Sequence, residues 1–163
     1  MSFSKTAKFH SLGGFYYKYF DTFVLKNKKM ITVSVNISAT LEKVWDFWTN
    51  PKHIVNWYFA SPDWHCPKAE NNLQLGKSFN YRMEAKDGSF GFDFEGEYTK
   101  IIDYQLIEYI LGDDRIVITT FEKQENSIKI TQKFDPETEN TLELQQQGWQ
   151  MILENFKKSV QGN

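Results

Sequence analysis

The chain has 163 residues, a formal net charge of -2 and no dense Lys/Arg run. That length suits one domain with a substantial core, and the charge argues against a mainly electrostatic nucleic-acid surface. A single cysteine, Cys66, excludes an internal disulfide framework and a multi-cysteine metal site and fits reducing, cytoplasmic surroundings. No apolar run approaches the ~20 residues of a membrane span.

Residues 1–29 differ in character from the rest of the chain. Phe3, Phe9, Phe15, Tyr16, Tyr17, Tyr19, Phe20 and Phe23 are interleaved with lysines, and Gly13-Gly14 interrupts them. No continuous apolar core or small-residue cleavage site marks a signal peptide. Two readings stand for this segment. It is an upstream extension before a true start at Met30, or an added element that covers a sheet edge or a partner. The domain itself runs over 30–163. Intact mass of the natively expressed protein separates the two readings.

Ile31 to Ile37 alternates with period two and is β-branched, so it reads as a strand. Thr40 can cap a helix from Leu41 to about Thr49, with Leu41, Val44, Trp45 and Trp48 on its apolar side. Asn50-Pro51 stops that helix and starts a second short one, from which Ile54, Trp57 and Tyr58 point inward. From Phe59 to Gly76, the prolines and asparagines predict loops around short extended pieces.

Residues 77–100 carry the most informative strand signal. Asp87-Gly88 predicts a two-residue hairpin turn. Its register sets Met83 opposite Phe92, Tyr81 opposite Phe94, Phe79 opposite Gly96 and Ala85 opposite Phe90, all on one side of the sheet. The other side pairs Arg82 with Asp93, worth about 0.2–1 kcal/mol, and Asn80 with Glu95. A slip of one residue would mix the aromatic and charged faces. Three further strands are expected at about Gln105–Leu111, Arg115–Lys123 and Ser127–Phe134. Tyr109, Leu111, Val117, Phe121, Ile128, Ile130 and Phe134 are candidates for their inner side.

The last long element spans Glu139 to Val160. Trp149, Ile152, Leu153, Phe156 and Val160 form one helical stripe. Acidic residues sit near its start and Lys157 and Lys158 near its end, the order a helix dipole favours. The fold class is therefore α+β: a curved antiparallel sheet of six to seven strands, two short helices after the first strand, and a long C-terminal helix covering the apolar face. A sheet curled around a helix in this way tends to leave a cavity between them.

Three stretches in this order resemble a known superfamily. Ser38-Ala39-Thr40-Leu41-Glu42-Lys43-Val44-Trp45 is similar to the opening of the START/Bet v 1-like (SRPBCC) superfamily with its helix-grip fold. The run Leu75 to Tyr81, Asp87-Gly88 and Phe94 to Tyr98 resembles the central strands of the branch named for the activator of heat-shock protein 90 ATPase. Gly148 to Lys158 is similar to that branch's C-terminal helix. The chain departs from the pattern at Lys77, where a second glycine is common, and at Thr40, where a proline is common. The resemblance implies binding of lipids, sterols, polyketides or flavonoid-like aromatics in the helix–sheet cavity, and in some members cyclase or hydrolase activity. It does not imply chaperone activation.

The residues show little chemistry beyond binding. Gly88-Ser89-Phe90-Gly91 is one residue short of a nucleophile elbow and lies on a hairpin. Asp93, Glu95 and Glu97 fall on the convex, solvated face. Asp63, His65, Cys66 and the distant His53 lack metal-ligand spacing, and no cofactor motif occurs. No catalytic residue and no metal ligand is assigned. The binding candidates are Trp48, Trp57, Phe79, Tyr81, Met83, Phe92, Phe94, Tyr98, Trp149 and Phe156, which converge on one interior as aromatic walls with a few polar tips. The expected function is non-catalytic binding of a small hydrophobic molecule. The alternatives are a polyketide cyclase or hydrolase-like enzyme, and a protein-interaction or stress-response module, which includes a homodimer through the first 29 residues.

Overall fold

A computed structural model describes residues 29–162. The two readings of the N-terminal segment concern residues 1–29, of which 1–28 lie outside the described part. The described chain forms seven strands and three helices: β1 (Ile31–Ile37), α1 (Leu41–Thr49), α2 (Pro51–Ile54), β2 (Trp64–Asn71), β3 (Ser78–Ala85), β4 (Gly91–Ile102), β5 (Leu106–Leu111), β6 (Ile116–Lys123), β7 (Ile128–Phe134) and α3 (Leu142–Gln161). All seven strands join one curled antiparallel sheet in the order β1-β7-β6-β5-β4-β3-β2. The last six form a meander. β1 reaches across to pair with β7, with Ile31 opposite Phe134 and Ile37 opposite Ile128.

The helices start where the sequence offers caps. The Thr40 hydroxyl accepts from Lys43 N at 3.3 Å, and the Thr141 hydroxyl accepts from Leu144 N at 3.2 Å. Between them, Asn50 closes α1 through its N–H to Asp46 O and opens α2 by accepting from Lys52 N at 3.1 Å. Buried Gln145 fixes the approach to α3. It receives Glu137 N at 2.9 Å and donates to the carbonyls of Glu137 and Asn140.

The β3–β4 register is the expected one, with Phe79 opposite Gly96, Tyr81 opposite Phe94 and Met83 opposite Phe92. Arg82 lies 3.5 Å from Asp93 on the outer face, and Asn80 donates to Glu95 at 3.4 Å. The turn is longer than two residues. Ala85 N donates to Phe90 O at 2.9 Å, so Lys86 to Ser89 make a four-residue loop, and Gly88 supplies the positive φ of 74° that closes it. Two residues are added symmetrically, so the register is unchanged.

The sequence expectation misses one element, β2. Its apolar residues do not alternate, Pro67 lies within it, and the register shifts between His65 and Lys68. A strand at the sheet edge tolerates both the proline and the bulge.

α3 crosses the concave face and buries Leu153, Phe156 and Val160 completely. It also shields the free edge of β1. Gln150 donates to Ser34 O at 3.0 Å and accepts from Ser34 N at 3.3 Å, and Gln146 donates to Thr32 O at 3.2 Å. These amides satisfy strand groups that would otherwise invite another chain. Among the described residues, no helix is long and apolar enough to cross a membrane.

The sheet leaves no room at Gly96. A Cβ there would sit 2.8 Å from Ile110 O and 3.0 Å from the Phe79 ring. Gly96→Ala is expected to cost about 1–3 kcal/mol through overpacking, read as a lower denaturant midpoint with an unchanged slope.

Candidate functional site

α1, the turn after α2, and strands β3 to β5 and β7 bring their large side chains to one point beneath α3. Trp48, Trp57, Tyr58, Phe79, Tyr81, Tyr98, Ile107, Tyr109 and Gln132 enclose a void of about 20 Å³. That is close to the volume one water needs, far below the ~300 Å³ or more of a ready-made small-molecule pocket. The broad helix–sheet cavity expected from the fold is thus closed by ring packing. Phe156 descends from α3 and meets Trp48 at 4.9 Å and Trp57 at 4.7 Å, both edge-on. Phe79 makes edge contact with Tyr109 at 4.8 Å.

The ten expected binding residues divide by depth. Trp48, Trp57, Phe79, Tyr81 and Tyr98 line the void. Phe156 and Met83 are buried behind that lining. Phe94 and Trp149 are half-buried at its margin. Phe94 lies 5.4 Å from the Tyr58 ring, and Trp149 stacks on Phe134 at 4.1 Å and meets Phe94 in a T-shaped contact at 6.1 Å. Phe92 lies outside the interior. It shares the sheet face of Phe94 but sits where the β3–β4 hairpin runs past its cover, 42% exposed, against Trp64 and Phe90.

Four lining residues were not among the expected ten: Tyr58, Ile107, Tyr109 and Gln132. Tyr58 and Tyr109 already read as inward residues. Gln132 falls between Ile130 and Phe134 in the period-two pattern, so alternation alone marks it as inward. Its polar side chain hid that signal. Once buried, it donates to Thr119 Oγ1 at 3.1 Å.

The polar atoms lining the void are paired and uncharged. Tyr81 hydrogen-bonds to Tyr98, and the Tyr98 hydroxyl donates to Asn71 Oδ1 at 2.5 Å. Asn71 in turn donates to Thr49 O at 2.6 Å, so this relay ties β2 to the end of α1. Tyr58 is hydrogen-bonded to Tyr109. Burial pushes all four phenols above their usual range and keeps them protonated. Burial likewise pushes the Cys66 thiol up to about 11, opposite to what a nucleophilic cysteine needs. The buried carboxylate Asp135 caps Ile116 N at 3.1 Å and does not border the void. Asp93, Glu95 and Glu97 are exposed, as expected of the convex face. Among the described residues, no cluster of three or more His, Cys, Asp and Glu can hold a metal ion. This arrangement can exclude water and orient a guest by neutral hydrogen bonds. It places no ionisable carboxylate or imidazole against one.

The phenols make two expectations testable. Tyr98→Phe keeps the ring but removes the donor to Asn71, and is expected to cost about 1–2 kcal/mol with unchanged secondary structure by circular dichroism. Raised phenol pKa values make the fold's advantage complete below the ordinary phenol value of 10.0 and progressively lost above it, as only the unfolded chain ionises. In an alkaline titration, the phenolate absorbance of these four residues should therefore appear together with loss of the fold.

The sequence and fold have recognisable relatives. Residues 38–161 match the family described as Activator of Hsp90 ATPase homolog 1-like protein. An AHSA1-like protein from Aeromonas hydrophila is 36% identical with a TM-score of 0.78, over 82% of this chain and 93% of that one. A protein from Cytophaga hutchinsonii is 47% identical with a TM-score of 0.72 over the same shares. A protein from Nitrosomonas europaea, 14% identical with a TM-score of 0.70 over 82% of this chain and 94% of that one, shares the fold. No curated protein matches significantly.

Proposed function

The chain belongs to the Activator of Hsp90 ATPase homolog 1-like family, and on that premise we propose that it is a non-catalytic cytoplasmic binding protein for a small hydrophobic, aromatic or lipid-like molecule held between α3 and the sheet. The observation that carries this reading is the lining itself: aromatic walls, four phenol hydroxyls and one carboxamide, without a charged group. Apolar burial supplies the driving force, and the hydroxyls supply orientation. The void is water-sized, so the guest enters by displacing rings. Phe94 and Trp149 close the interior on the β4 side and are only half-buried, which makes them the rings whose removal most directly changes the available space. Opening the interior draws on the binding energy and lowers apparent affinity.

The enzyme alternative needs an ionisable group facing the guest. The void's lining offers only phenols held neutral by burial, which does not favour that reading.

Native mass spectrometry of freshly purified protein, followed by denaturing extraction, is the direct test. A reproducible bound small molecule is the expected result. Phe94→Ala and Trp149→Ala should each change affinity for it, about tenfold if the ring borders the guest. Unchanged affinity in both folded variants would place the guest elsewhere.

A further inference from the structure

Residues 55–59, between α2 and β2, present two faces. Trp57 and Tyr58 wall the interior void, while their chain neighbours Asn56 and Phe59 line an open depression of about 500 Å³ on the outer side. The far wall of that depression is α3, through Asn155, Lys158 and Ser159. One layer of side chains therefore separates an uncharged aromatic interior from a polar surface hollow. A side-chain hydrogen bond crosses that layer, Asn155 Nδ2 to Phe59 O at 2.7 Å. Next to Asn155, Phe156 packs on Trp57 on the inner side.

The two compartments differ in charge. Lys158 is the only ionisable residue among the five that line the hollow, and it is exposed. The Asn155 amide stands beside it as a donor, and no carboxylate belongs to the lining. Lys158 lies in the last turn of α3, where its charge offsets the negative end of the helix.

We propose that the molecule bound by this protein is a monoanionic amphiphile. Its carboxylate or sulfonate head is held by Asn155 and Lys158, and its apolar body passes between residues 55–59 and α3 into the aromatic interior. This rests on the interior-binding reading above and adds the chemical class of the ligand and the side from which it enters. A head oxygen takes the place of the Phe59 carbonyl as acceptor for Asn155 Nδ2. The exchange conserves the hydrogen bond while freeing the Phe59 carbonyl from α3, and Lys158 makes the new contact charge-assisted. A cation is repelled at the same place, and a neutral molecule gains only the burial of its body.

The test compares two dyes with one aromatic frame, anilinonaphthalene sulfonate and the neutral phenyl-naphthylamine, titrated by fluorescence into the full chain. The sulfonate is expected to bind more tightly. Lys158→Gln should reduce the sulfonate-to-neutral affinity ratio about three- to tenfold, and Lys158→Arg should preserve it. Asn155→Asp, which sets a carboxylate where the donor was, should reduce the ratio at neutral pH and restore part of it under acid, when that carboxyl is protonated. Phe94→Ala should shift both dyes. If the ratio ignores Lys158→Gln while Phe94→Ala still shifts both dyes, the head site is wrong and the interior reading survives. If neither dye binds, if both ignore Phe94→Ala, or if Phe90→Ala on the exposed hairpin abolishes both, the interior reading falls and this inference with it.

Discussion

Everything in this molecule depends on covering one face of a seven-stranded antiparallel sheet. The inner positions of β1, β3 and β5 to β7 are almost all apolar, and left open they would outweigh any gain from the strand ladder. α3 covers the β1 side of that face, and α1 and α2 cover the β2 side. The two groups meet at Phe156, which stands edge-on to both Trp48 and Trp57. This aromatic junction holds the helices in place over the sheet.

The same covering elements manage the sheet's edges. Gln146 and Gln150 occupy the open carbonyls and N–H of β1. At the opposite edge, β2 carries Pro67 and a register shift, which weaken it as a template, and Asn71 binds its end to α1. Edge protection and interior polarity are linked there, because the hydroxyl of Tyr98 reaches the same Asn71. A change in the interior hydrogen bonds is therefore also felt at the joint between β2 and α1.

The binding reading comes from the same packing. Rings large enough to bridge sheet and helix leave small gaps where they meet, and four of them bring hydroxyls that must pair. The result is a closed interior with neutral polar tips. The short run from Val55 to Phe59 between α2 and β2 belongs to the cover of this interior, with Trp57 and Tyr58 buried inward and Trp57 Nε1 donating to Phe47 O at 3.1 Å. It meets α3 through the Asn155–Phe59 hydrogen bond and the packing of Trp57 on Phe156.

Sequence alone determined the elements whose signals are local. Period two in β1, the cap at Thr40 and the stripe of α3 each depend on neighbours a few residues apart. The β3–β4 register was legible because only one alignment separates aromatic from charged residues, and it held although the loop was twice the expected length. β2 was not legible, since an edge strand with a proline and a bulge has no pattern to read. Nor was Gln132 evident as a lining residue, because composition marked it as polar while alternation marked it as inward. Only the tertiary structure decided how full the interior is. Sequence placed aromatic side chains on one side of the sheet and helix, but a void is a difference of volumes among rings from several elements. That difference of about 20 Å³ depends on rotamers and contacts that no local pattern encodes. The fate of Phe92 was settled the same way. Its face was fixed by pairing with Met83, while its exposure depended on where the covering elements end.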